Sequence, residues 1–353
     1  MKDSNKLLSL AESQSLRGIA ILAIMLHNYC HWLGFAVKEN EFTFDASRPQ
    51  QILGQMMAPD ANIFVHLMSF FGHYGVPVFL FISGFGLVCK YEKLSAPGIG
   101  ILPFTRYHYL KLFKMMFVGF VAFTIIDYIT PGRHYYEAID IVALMGMFIN
   151  ILPNPDRIIW PGPYWFFGLM IQLYVIWRLV LYRRPSRNVI ILVVLCWLLQ
   201  AFLTSSNDPG GVVLNRVRYN FIGGMLPFGL GVLYARHGKA FGKRAYIAML
   251  LLSVLLVVVA SLTFQSWLWV PLFIVTGSVA LIKLLPQRIS GVCMWLGAIS
   301  SAMFVTHPIL RKIFIPLSRH GEVYAGLLLY VMASVCVAWL FAQLMRRLPE
   351  PRQ

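Results

Sequence analysis

The stretch Ser15-Leu-Arg17-Gly-Ile-Ala-Ile-Leu-Ala-Ile-Met-Leu-His27-Asn28-Tyr-Cys-His31-Trp-Leu-Gly34 decides the fold class. Between Arg17 and His27 no side chain is polar. The run 16–34 is close to the roughly 20 residues that carry an α-helix through a bilayer. Nine further segments meet or approach that length: 63–89, 110–129, 164–182, 189–204, 220–236, 245–264, 267–285, 292–313 and 322–345. In hydrocarbon every backbone polar group must be satisfied internally, which leaves helices for runs this long. The expectation is an all-α polytopic membrane protein of about ten transmembrane helices, with residues 1–353 as one membrane domain.

Composition agrees. Of 353 residues, 58% are hydrophobic and 12% charged, about half the charged share of a soluble domain. The net charge of +16 sits in short gaps between apolar runs. A nucleic-acid reader would gather its Lys and Arg on one soluble face, so no nucleic-acid partner is expected. Cys30, Cys89, Cys196, Cys293 and Cys336 form no CxxC pair. They read as small helix residues rather than a disulfide framework or a metal site. No small-residue cleavage site follows the first run, so it is expected to remain as a span.

Basic residues orient the spans. With a cytoplasmic N-terminus and 138–152 left out, 21 of the 30 Lys and Arg fall on the cytoplasmic side. They include Lys2, Lys6, Arg106, Lys111, Arg183, Arg184 and Arg352. Ten of the 14 acidic residues fall outside, with Asp3 among those inside. Counting 138–152 as a full span would move Arg183 and Arg184 outside, so it reads as an outer re-entrant or interfacial helix. Both termini are then cytoplasmic. Two long outer segments remain: 35–62, with Glu39, Glu41, Asp45 and Asp60, and the proline-rich 130–163.

Ionisable groups inside a bilayer are costly and mark sites. His27 lies ten residues after Arg17, roughly 15 Å along a helix. Its imidazole suits a general base. His31 shares its face one turn on, and Asn28 is adjacent. The plain alternative is a packing hydrogen bond to a neighbouring helix. His307, in Ser300-Ser301-Ala-Met-Phe-Val-Thr306-His307-Pro308, is either a site residue or part of a kink at Pro308. Arg106, His108, Lys111 and Lys114 form a basic cluster at the mouth of the third span. It is explained by head-group anchoring, or by binding a polyanionic ligand such as a nucleotide-bearing thioester. Ser83-Gly84-Phe85-Gly86 permits close approach but has no nucleophile-elbow context.

Together these pieces resemble acyltransferase family 3, bacterial inner-membrane enzymes that acylate exported glycans. Ser15-Leu-Arg17-Gly18-Ile-Ala20 with His27 resembles the family's first span. Gly75-Val-Pro-Val-Phe-Leu-Phe-Ile-Ser83-Gly84-Phe85 resembles its second, and Arg106 to Lys114 its basic cluster. Tyr164-Trp165-Phe166-Phe167…Tyr174 resembles a later span. Leu226-Pro-Phe-Gly229-Leu-Gly231 and Ile299-Ser300…His307-Pro308 resemble the last blocks. The likeness runs in order from about residue 15 to 345. Arg17 and His27 are ten apart where the family usually has eleven. Asn28 takes the usual slot, with His31 the fallback base. His108 and Lys111 stand nearest the family's paired arginines. The family's soluble esterase-like extension is missing.

The resemblance implies a stand-alone O-acyltransferase in the bacterial cytoplasmic membrane. Acyl-CoA, acetyl-CoA foremost, would be the donor, held by Arg17, Ser83, Arg106, His108, Lys111 and Lys114, with no metal. His27, with Asn28 and His31, would be catalytic. Trp165, Tyr174 and His307 would line the side of the acceptor, a glycan or lipid-linked sugar. A secondary transporter of a lipid-linked or small anionic substrate and a non-catalytic membrane scaffold are the rival readings. Cysteine-accessibility labelling checks the topology. Cysteines placed in 138–152 should react from the outer side; inner labelling throughout would break the ten-span count.

Overall fold

The computed structural model describes residues 7–93 and 100–351, so Lys2, Asp3, Lys6 and Arg352 of the orientation argument lie outside the described residues. The first helix starts six residues before Leu16. Ser9 Oγ accepts from the Glu12 amide at 3.1 Å, and Glu12 Oε2 accepts from the Ser9 amide at 2.8 Å. This reciprocal cap satisfies two otherwise orphaned donors. Glu12 also pairs with Lys283 at 3.0 Å, tying that end to another helix.

Among the described residues the regular structure is all helix, with no strand. The helices are α1 (Leu10–Cys30), α2 (Ser47–Met57), α3 (Ile63–Phe71), α4 (Gly75–Val88), α5 (Ile101–Ile129), α6 (Ala138–Met145), α7 (Pro155–Ile158), α8 (Trp165–Ile176) and α9 (Ser186–Phe202). They continue as α10 (Val212–Arg218), α11 (Phe221–His237), α12 (Lys243–Ala260), α13 (Phe264–Trp267), α14 (Val270–Leu284), α15 (Gln287–Ala298), α16 (Ser300–Arg319) and α17 (Val323–Arg347). A short 3₁₀ turn, Gly72–Tyr74, joins α3 to α4, and α4 and α8 each end in a π-helical turn.

Each of the ten apolar segments is carried by helix. Among the described residues, five helical stretches are long and apolar enough to cross a membrane by themselves: Ile63–Lys93, Ile101–Ile129, Gly162–Leu181, Lys243–Ala260 and Val323–Arg347. A sixth is obtained if α15 and α16 count as one broken span. Their outer faces are apolar. On α12, Leu251, Leu252, Val254, Leu255 and Val259 are all exposed. In water such a belt would be an aggregation surface; against lipid tails it is the expected face.

The ninth segment differs from its expected form. The bend between α15 and α16 is 72° and falls at Ile299, nine residues before Pro308. Helix α16 runs on through both Pro308 and Pro316. Thr306 Oγ1 donates to Ala302 O and His307 Nδ1 bonds Met303 O, so side chains satisfy carbonyls in the turn before Pro308. Residues 138–152 form no span: α6 is eight residues long, and Tyr109 of α5 donates to Met145 O at 2.8 Å.

Packing fixes α1 at two places. Against α15, a Cβ on Gly18 would lie 1.9 Å from Cys293 O, and one on Gly297 1.9 Å from Gln14 O. The two backbones therefore touch directly, as small residues allow in membranes. Against the α3–α4 junction, a Cβ on Gly72 would lie 2.7 Å from His27 Cβ, and one on Gly75 2.4 Å from Ala20 O. The junction is thus pressed onto α1 at the height of His27. Gly18→Val should abolish the monodisperse folded species in size-exclusion chromatography, because both obstructions are backbone. Gly34→Val, with nothing within 4 Å of its Cβ, should leave it intact.

Candidate functional site

Two cavities lie along α1. The first, about 380 Å³, is lined by Arg17, Ser83, His108, Lys111, Lys114 and Tyr174, with Ser300 and Ser301 on its α16 side. The second, about 540 Å³, is lined by His27, Asn28, His31, Glu39, Glu41, His73 and Arg311 among others. Three residues line both: Ile24, Phe166 and Phe304. They form the apolar neck at which the two cavities adjoin, closed by the Phe166 and Phe304 rings, whose centroids are 5.3 Å apart. Ile24 lies seven residues after Arg17 and three before His27. The neck is therefore roughly 10 Å from one and 5 Å from the other along α1.

The Arg17 cavity is cationic and aromatic. His108 Nε2 and Tyr91 OH are hydrogen-bonded at 3.1 Å, and the His108 ring packs, tilted, with its centroid 4.4 Å from those of both Phe104 and Tyr174. Tyr174 also faces Arg17 and Ser83. Sequence reasoning placed Tyr174 on the acceptor side with Trp165; the structure places it here. Lys114 donates to Leu348 O and pairs with Glu350 at 2.8 Å, so the segment after α17 reaches the cavity. Arg106 is exposed and is not among the lining residues.

The His27 cavity holds the chemistry-bearing groups. His27 is buried, and its Nδ1 bonds Ser69 O at 2.9 Å. A carbonyl only accepts, so Nδ1 carries the proton and Nε2 is left with a free lone pair. His31 Nδ1 meets Glu39 Oε2 at 2.6 Å. The His27 ring centroid lies 5.4 Å from that of His31 and 5.6 Å from that of His73. Burial alone would raise the Glu39 carboxyl. The charges of His27, His31 and His73 and the His31 hydrogen bond outweigh it and hold Glu39 below the ordinary carboxylate range. Burial, with Glu39 adding, pushes Glu41 well above that range. Two carboxyls of one loop are thus shifted in opposite directions by their surroundings.

The cavity wall is aromatic, with Trp32, Phe42, Trp160, Trp165 and Tyr219. Phe42 and Tyr219 stack at 3.7 Å, and Tyr219 OH donates to Asp156 at 2.5 Å. Such rings, beside carboxylates, suit the apolar face and hydroxyl edge of a sugar. His307 is fully buried, and its Nε2 has no partner. It is absent from the linings of both cavities, which fits the packing alternative for that residue.

His27, His31 and Glu39 each offer one metal-ligand atom, all within 4.8 Å of one another. A bound ion would have to replace the 2.6 Å His31–Glu39 hydrogen bond.

Sequence reasoning missed His73, Arg311 and the roles of Glu39 and Glu41. Arg311 had a local signal, a cation inside an expected span. Glu39 meets His31 only because the chain doubles back after α1.

Fold and site define a multi-pass helical membrane protein with a cationic cavity and a histidine cavity that share an apolar wall. Residues 11–343 match the model of the acyltransferase domain of acyltransferase family 3, and the chain belongs to that family. It is therefore a membrane acyltransferase. No curated protein and no solved structure matches the chain.

Glu39→Gln should lower acyl transfer about ten- to hundredfold by releasing His31, as loss of an orienting carboxylate commonly does. Stability should follow the same pair. A depressed carboxyl stabilises the fold above its ordinary range, and that contribution fades as pH falls. The variant should melt below the parent at pH 7, with the gap narrowing only as pH falls below the ordinary carboxylate range.

Proposed function

We propose that this protein is an O-acyltransferase that moves an acyl group, acetyl foremost, from cytoplasmic acyl-CoA to a sugar hydroxyl of an exported glycan or lipid-linked sugar. The observation that carries the reading is the shared neck. A cavity lined by Arg17, His108, Lys111 and Lys114 meets a cavity holding His27 only at Ile24, Phe166 and Phe304.

In this reading the Arg17 cavity opens to the cytoplasm, and the ten segments are ten spans with both termini inside. The membrane is the bacterial cytoplasmic membrane. The phosphates of acyl-CoA meet Arg17, Lys111 and Lys114, and displace Glu350 from Lys114. Arg106 supplies long-range attraction at the mouth. The thin pantetheine arm, apolar along much of its length, passes the neck and brings the thioester to His27.

The acceptor hydroxyl then gives its proton to His27 Nε2 as its oxygen attacks the thioester carbonyl carbon. The carbon–sulfur bond breaks, and the thiolate takes the proton back from His27. Ser69 O holds the ring in the tautomer this requires. The Glu39–His31 pair stabilises the positive charge that His27 carries between the two transfers. Trp165 and Tyr219 face the sugar.

The test is acyl transfer from radiolabelled acetyl-CoA by protein reconstituted in proteoliposomes. His27→Ala should lower turnover at least a thousandfold with the protein still monodisperse; retained turnover would sink the base role. Arg17→Ala and Lys111→Ala should each raise KM for acetyl-CoA about tenfold, more at low salt. Unchanged KM in both would reduce the cluster to head-group anchoring. Counterflow of substrate without acyl-CoA would instead favour the transporter reading.

A further inference from the structure

Arg311 on α16 is 5% exposed and lines the His27 cavity. Its guanidinium has five donors. Among the described residues its hydrogen bonds go to Asn28 O, 3.5 Å, and Asn28 Oδ1, 3.4 Å, both from one terminal nitrogen and both long, while Tyr330 and His307 lie within range of its charge. The Trp32 ring lies 4.6 Å from the guanidinium carbon. Among the described residues no carboxylate pairs with it.

The cavity's own acids are engaged elsewhere. Glu39 is held by His31 at 2.6 Å. Asp156 accepts from Tyr219 at 2.5 Å and Asn215 at 2.8 Å. Arg218 is the cation that acts on Glu41. The other cations are also engaged. Lys38 donates to His31 O, and Arg48 donates to Glu39 O at 2.5 Å and pairs with Asp45 at 3.7 Å. Arg319 adds a second positive charge at the Trp32 ring, 5.9 Å away. A buried guanidinium with most donors unmet is a charge whose partner comes from outside the chain.

The position of the guanidinium indicates which partner. It is bracketed by Asn28, the residue after His27 on α1, and Trp32, two residues past the end of that helix. It therefore lies beyond His27 as seen from the neck, where the body of a sugar would sit rather than a thioester carbonyl.

We propose that Arg311 makes this cavity selective for an anionic saccharide, one that bears a carboxylate or a phosphate ester on the sugar. The guanidinium grips the anion with its planar fork while its face rests on Trp32. This rests on the reading of the His27 cavity as the acceptor site. It adds that the acceptor is acidic.

Binding without acyl-CoA tests it apart from catalysis. The probes are methyl glucuronide, glucose 6-phosphate and neutral methyl glucoside, titrated by intrinsic tryptophan fluorescence on purified full-length protein. At least one anionic probe should bind tenfold or more tightly than the glucoside, and which one it is identifies the anion. R311Q should erase the preference, and R311K should cut it at least threefold through loss of the planar fork. Equal binding of all three probes by the parent protein would overturn the proposal. So would a preference that survives in R311K and R311Q alike. Should R311Q fail to fold, an undiminished preference in R311K suffices to overturn it. Selective binding by a protein that transfers no acyl group would leave the anion site standing and defeat the acyltransfer reading instead.

Discussion

The hydrogen bond between His27 Nδ1 and Ser69 O is the contact on which the site depends. Ser69 lies in the last turn of α3, where carbonyls lose their intrahelical partners. The turn Gly72–Tyr74 follows, and Gly72 and Gly75 let it press onto α1 without a Cβ between. Backbone packing therefore fixes both the height of the imidazole and the nitrogen that carries its proton. The Gly18–Gly297 contact holds the other half of α1, so that Arg17 and His27 are offered to two cavities by one rigid helix.

The neck gives that arrangement its chemical sense. Ile24, Phe166 and Phe304 separate a cationic compartment from one rich in acids, imidazoles and aromatic rings. An apolar constriction opposes the passage of water and ions between the two compartments. Lys114 shows that the cationic compartment already attracts carboxylates: its partner is Glu350, 71% exposed, in a weak surface pair that a phosphate can outcompete.

Much of this was legible in the sequence. Helix positions followed from apolar length, because lipid enforces one rule over many residues. The cluster of His108, Lys111 and Lys114 followed from charge at one end of an apolar run, and the place of Arg17 beside it from the family resemblance. His27 was legible as a polar residue where lipid should be. What was not legible depends on contacts between distant segments. Pro308 suggested a kink, yet the 72° bend falls at Ile299 and α16 runs on through the proline. Tyr174 stands with Arg17 rather than with Trp165, because nine residues of α8 separate the two by roughly 13 Å. Glu39 reaches His31 only through the fold of its loop, and no periodicity announces a loop contact.

The central claim is that a donor held in the Arg17 cavity presents its acyl carbon to His27 through the neck. Cryo-electron microscopy of the protein with a non-hydrolysable acetyl-CoA analogue tests it most directly. The account predicts phosphate density against Arg17 and Lys111, a pantetheine arm between Ile24, Phe166 and Phe304, and an acyl carbon about 3–4 Å from His27 Nε2. An analogue whose acyl end stays on the Arg17 side of Phe304, or lies along the lipid face of α5, would contradict it.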